Sequence, residues 1–278
     1  MLRLFKHISF GREVASSAHM AALFTVSEQL KPMTELEFEY AEQTMETAYD
    51  WLFPSPSTCA FANAGHFSLH DHNANGFQVR LTHFLGQRVL PVVLANTHEA
   101  LLHSLPFVSL GGKEVGIIHI GAQFQLKPSL ELCVGSAYHF ALSRYNDCRA
   151  FYLGIDENSI DAKTIEYAED LGCDWMTATE CTFRNRFQLK SQLSSYLAHC
   201  DEVVLDIDLA SLMPQAMVNL SAHLELQMAM RMIRQCMMAG KVKLIQMVGQ
   251  HEKVVYHKHT QKLLADIVQM LPSRNRAA

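Results

Sequence analysis

Two aspartates close an apolar run in EVVLDIDLASLMP, at Asp206 and Asp208. In an extended chain, residues two apart share a face, so these carboxylates project to one side about 7 Å apart along the strand. Like charges so placed repel, and a cation or a basic partner is the usual reason for them. Capping of the following turn is the competing structural role. Two other apolar runs end in comparable residues. PVVLANTHEA places His98 just past Val92–Leu94, and VGIIHIGAQFQL ends in Gly121, Gln123 and Gln125. His98 taken alone reads first as a satisfied loop histidine and only second as a ligand. With both aspartates it can form a single divalent site, completed by water and by Gln123 or Gln125 as a fourth donor. His119 shares the strand face of Gly121, two residues deeper. It reads first as a buried histidine bonded to its neighbours, and second as a compensating ligand.

The chain has 15 histidines, and the other groups of them do not converge on one site. GHFSLHDHNANG holds His66, His70, Asp71 and His72; an H-x-H pair beside an aspartate can bind metal, but the flanking Asn and Gly favour an exposed turn. His257 and His259 open the last helical pattern, where i,i+2 residues do not share a face. Met228, Met230, Met232, Met237 and Met238 read as core packing, with an adaptable partner surface as the second reading. There is no GxSxG elbow, P-loop or GxGxxG.

Positioning residues at strand ends requires a sheet. Candidate strands are Thr58–Ala62, Val89–Leu94, Val115–Ile120, Ala150–Ile155, Asp174–Thr177, Val203–Asp208 and Val242–Met247. Runs such as VLPVVL and VGIIHI are apolar on both faces, as a parallel sheet covered by helices on both sides requires. Helical patterns fall at Thr34–Trp51, Glu99–Leu105, Ile160–Leu171, Phe187–His199, Leu220–Ala239 and Thr260–Leu271. Thr34 with Glu37 makes a capping box, and Gly172 and Gly240 sit at C′ positions. Alternation of strand and helix implies βαβ units, with ligands at the carboxyl ends of the strands.

Composition bounds the rest. At 278 residues and 49% hydrophobic, the chain suits one large α/β domain and is too apolar for a disordered protein. A net charge of −5 without a basic stripe argues against a nucleic-acid binder. No apolar run reaches the roughly 18 residues of a membrane span, and residues 1–12 show no signal-peptide core. Seven cysteines without a CxxC read as reduced, buried thiols, so a cytoplasmic location is expected.

In the order of these segments the chain resembles the ureohydrolases (arginase, agmatinase and formimidoylglutamase), and most of all formimidoylglutamase. PVVLANTHEA lies where the family has PxVLGGxHE, and VGIIHIGAQFQL where it has a strand ending in DAHFDL. VVLDIDLASLMPQAMVNLSA stands for DLDxLPxxxxPGVSAP, and KLIQMVGQHE for LVEFNPxxD. The likeness covers roughly residues 88–270 and is weak over 1–87. It implies a single domain over 1–278, a three-layer α/β/α sandwich on a mostly parallel sheet.

The resemblance also implies a binuclear manganese site of two histidines and four aspartates. Of those positions the chain keeps His98, Asp206 and Asp208. The other three fall on Gly121, Gln123 and Gln125, and the glutamate that grips the cationic end of the substrate falls on Gln246. Two carboxylates do not offset two Mn²⁺ ions, and glutamine is an uncharged, weaker ligand. Without both metals no hydroxide is generated near neutral pH to attack a guanidino or formimino carbon. Gln246 also forgoes a charge-assisted bond worth ~1.5–3 kcal/mol. The expectation is a non-catalytic relative without a cofactor, binding a small molecule or a protein. The alternative is an active C–N hydrolase with one divalent metal, such as Mn, on His98, Asp206 and Asp208. Family analogy also admits a homo-oligomer.

Overall fold

The computed structural model describes residues 20–54, 60–69, 74–109, 112–217 and 223–271. Along the chain the elements are β1 (Ala21–Glu28), α1 (Glu35–Leu52), β2 (Phe61–Leu69), α2 (Asn75–Gly86), β3 (Leu90–Ala95), α3 (Leu105–Val108), β4 (Val115–Ile120), α4 (Ala137–Arg144) and β5 (Cys148–Ile155). They continue as α5 (Ala162–Asp170), β6 (Asp174–Thr177), α6 (Arg186–His199), β7 (Glu202–Asp208), α7 (Leu226–Met238), β8 (Val242–Val248), α8 (Glu252–Val255) and α9 (Lys258–Met270).

The strands form one sheet in the order β2-β1-β3-β8-β7-β4-β5-β6, and every pairing is parallel. Parallel strands need crossovers, and the helices that make them cover both faces. On one face α1, α6, α7 and α9 contribute Met45, Leu193, Ile233 and Leu263 to a continuous core. On the other, α2, α4 and α5 contribute Phe77, Leu81, Tyr138 and Ala168. This double burial explains why the central strands are apolar on both sides. It also makes any polar residue inside them conspicuous.

Thr34 and Glu37 do form the reciprocal capping box of α1, and Gly172 and Gly240 take left-handed φ of 66° and 71° after α5 and α7. Met228, Met230 and Met232 are buried core residues, whereas Met238 is exposed. The structure departs from the sequence reading in several places. Ala21–Glu28 is a fully buried strand that the pattern did not announce, and α2 and α4 are helices not expected. The expected helix at Glu99–Leu105 is instead a 3-10 turn over His98–His103, continued by the single turn of α3. The segment expected as an exposed turn starts inside an edge strand: Gly65 to Leu69 belong to β2, whose half-exposed face accommodates polar residues. His70, Asp71, His72, Cys59 and the first residues of the Thr58–Ala62 and Leu220–Ala239 segments lie outside the described residues.

Candidate functional site

Strand register assembles the site. In β4 and β7 His119 lies opposite Asp206, and in β7 and β8 Asp206 lies opposite Gln246. Each of these side chains has an apolar residue on either side of it in its strand, and the three form one row across the middle of the sheet. All three are fully buried. The row faces α4, which delivers Tyr138, and the 3-10 turn after β3, which delivers His98.

Asp206 is the hub. Its Oδ2 accepts from His98 Nδ1 at 2.8 Å, His119 Nδ1 at 3.0 Å and the Tyr138 hydroxyl at 2.9 Å. Its Oδ1 accepts from Gln246 Nε2 at 3.0 Å, and Gln246 also donates to the carbonyl of His98 at 3.1 Å. Burial opposes ionisation of Asp206, but the two imidazoles overcome it and hold its carboxyl well below the usual carboxylate range. Burial likewise opposes charging of His98, yet Asp206 beside it raises the imidazole to about 9. Burial pushes the Tyr138 hydroxyl well above its ordinary value, reinforced by the Asp206 charge, so it donates as a neutral phenol. Within this cluster two polar atoms, His119 Nε2 and Gln246 Oε1, have no partner among the described residues.

Other residues singled out by sequence go elsewhere. Asp208 turns away to its own loop, accepting from the Ala210 amide at 2.9 Å and the Ser211 hydroxyl at 2.6 Å, and so takes the capping role. Gln123 is exposed, and Gln125 takes a left-handed φ of 52° in the loop after β4. Gln246 is an internal strut with no exposed surface. Gly121 packs against His119: a Cβ there would lie 2.5 Å from His119 Nε2 and 3.0 Å from Asp208 Cβ. Among the described residues, the group with metal-ligand chemistry is therefore His98, His119 and Asp206, whose ligand atoms lie within 4.8 Å of one another.

Tyr138 and Glu99 were not found by sequence. Glu99 is buried, and its Oε1 accepts from the amides of Gly135, Ser136 and Ala137 at 2.8, 2.9 and 3.1 Å, capping the helix that carries Tyr138. A glutamate beside a family-like histidine was the available signal. The remaining histidines stay dispersed. His66 bonds Thr25 and Ser27, His103 bonds Glu28, and His257 caps α9.

A cleft of about 830 Å³ opens beside the carboxyl edge, lined among others by Lys31, Leu102, His103, Leu132, Phe140 and Arg144. None of the five residues of the buried cluster lines it.

No family model matches the chain. It is 28% identical over 178 residues to the formimidoylglutamase of Chromobacterium violaceum, covering 59% of this chain and 57% of that one. It is 24% identical over 204 residues to the formimidoylglutamase of Aeromonas hydrophila, covering 69% and 65%. The chain thus spans less than two thirds of the length of these curated relatives. Among solved structures it is similar to arginase from Bacillus cereus, with a TM-score of 0.70 at 14% identity over 91% of this chain and 99% of that one. It is likewise similar to the Trypanosoma cruzi formiminoglutamase solved with Mn2+2, with a TM-score of 0.68 at 10% identity over 91% and 92%. The architecture is the arginase-like α/β fold. In sequence the chain is similar to these two formimidoylglutamases at 24–28% identity.

Proposed function

We propose that this chain keeps the ureohydrolase scaffold without its binuclear hydrolytic chemistry and acts by binding a small molecule or another protein. One observation carries the reading. Where the resemblance implies a carboxylate bridging two metals, the chain has Gly121, and the space beside it is taken by His119. A manganese pair does not fit this donor set. Gly121 offers no ligand, Gln123 is exposed, and Asp208 is committed to Ala210 and Ser211. The groups that remain around Asp206 hydrogen-bond to its carboxylate, and Gln246 supports that carboxylate instead of meeting a substrate cation. For a binding role, the cleft beside Arg144 has a volume suited to a small molecule.

The purified chain incubated with Mn²⁺ and assayed on formimidoylglutamate, arginine and agmatine should release no product above background. Turnover accompanied by two manganese per chain would overturn the reading. A second reading, a hydrolase on a reduced site with one divalent ion, is favoured by the closeness of His98, His119 and Asp206. It predicts that turnover appears with the metal and disappears in Asp206→Ala.

A further inference from the structure

We propose that His98, His119 and Asp206 hold a single late transition-metal cation of the zinc class, through a ligand, His119, that lies outside the positions the family resemblance implies.

The first argument is valence at one oxygen. Asp206 Oδ2 is approached by three donors, His98 Nδ1, His119 Nδ1 and the Tyr138 hydroxyl, while Oδ1 is approached by Gln246 alone. A carboxylate oxygen carries two lone pairs, so three donors over-subscribe Oδ2 while Oδ1 keeps spare capacity. A cation among Oδ2 and the two Nδ1 atoms removes the excess. Both imidazoles then offer lone pairs instead of protons, and Tyr138 stays as the hydrogen bond that orients the ligating carboxylate.

The second argument is shape. The three ligand atoms lie within 4.8 Å of one another, and the two N···O separations of 2.8 and 3.0 Å need to open only to ~3.4 Å for a tetrahedral ion with bonds of ~2.1 Å. Two imidazoles and one carboxylate suit zinc, iron, cobalt or nickel better than the hard, oxygen-seeking ions. The charge also suits one cation. Asp206 ligates directly, and Glu99 follows His98 in the same buried turn.

The third argument is what His119 displaced. Its Nε2 occupies the space a side chain at 121 would need, so the ligand arrives from two residues deeper in the same strand.

The test uses the full chain, purified without a metal-binding tag, and reads metal instead of turnover. This keeps it separable from the non-hydrolytic reading, which stands or falls on the substrate assays. Elemental analysis should find about one zinc-class ion per chain. After chelator stripping, Zn²⁺ or Co²⁺ should raise the melting temperature, with Mn²⁺ much less effective. His119→Gln should weaken Zn²⁺ binding at least ~100-fold, while His139→Gln should leave it unchanged. If His119→Gln fails to fold, the Co²⁺ spectrum of the unaltered chain decides. Nitrogen and oxygen ligation without a thiolate charge-transfer band supports the site. A thiolate band, a metal-free protein that Zn²⁺ and Co²⁺ do not stabilise, or undiminished binding in His119→Gln would overturn it.

Discussion

The Tyr138 hydroxyl meets the Asp206 carboxylate at 2.9 Å with both side chains fully buried, so a helix on one layer is tied to the centre of the sheet by a single charge-assisted bond. Such bonds are worth about twice a neutral one because the acceptor carries full charge in a low dielectric. Tyr138→Phe keeps the ring and removes only the donor. It should cost ~1.5–3 kcal/mol in urea denaturation with an unchanged m-value. A loss below ~0.5 kcal/mol would mean that Asp206 is held adequately without it.

Gly121→Ala places a Cβ against His119 Nε2, and the imidazole cannot withdraw without leaving Asp206. Overpacking of this kind costs ~1–3 kcal/mol. In a His119→Ala background the same substitution should cost much less. A double-mutant cycle in denaturant reads that coupling directly.

Glu99 satisfies three amides at the start of α4 with one oxygen. Glu99→Ala should destabilise by ~2–3 kcal/mol, because buried N–H groups lose their acceptor. Glu99→Gln, which keeps an oxygen at that distance, should lose about half as much. Hydrogen exchange at residues 135–137 should accelerate in the first variant before the rest of the domain does.

Burial pushes the thiols of Cys148, Cys173, Cys181 and Cys236 up to about 12 and that of Cys200 up to about 11. The thiolate is the reactive form, so at pH 8 these five should label with a maleimide more than ~100-fold more slowly than partly exposed Cys133. Site-resolved mass spectrometry measures the ratio. Urea should abolish it.

The sequence announced the parallel sheet because its central strands are apolar on both faces, and it placed six carboxyl ends within one residue, while the strand expected at Thr58–Ala62 runs instead over Phe61–Leu69. It was silent on β1, AALFTVSE, and on α4, whose cap is a glutamate far away in the chain. The site was legible only in part. His98 and Asp206 were singled out as ligands together with Asp208, and Gln246 as a substrate-contact position; the structure buries the first two and Gln246 around the Asp206 carboxylate, while Asp208 bonds Ala210 and Ser211. What sequence could not supply was register. Only the pairing of β4, β7 and β8 puts His119, Asp206 and Gln246 side by side. A cheaper clue was present, since each is a polar residue with an apolar neighbour on either side in its strand.

The packing of His119 against Gly121 also acts as a ratchet on sequence change. Restoring a side chain at 121 while His119 is in place forces two groups into one volume, and removing His119 first strips the central carboxylate of a buried partner. Neither single step is neutral, so a chain with this pair reaches a carboxylate at 121 only through a weakened intermediate. The exchange binds the two positions into one unit of descent, and sequences that carry glycine at 121 should be expected to carry a ring at 119.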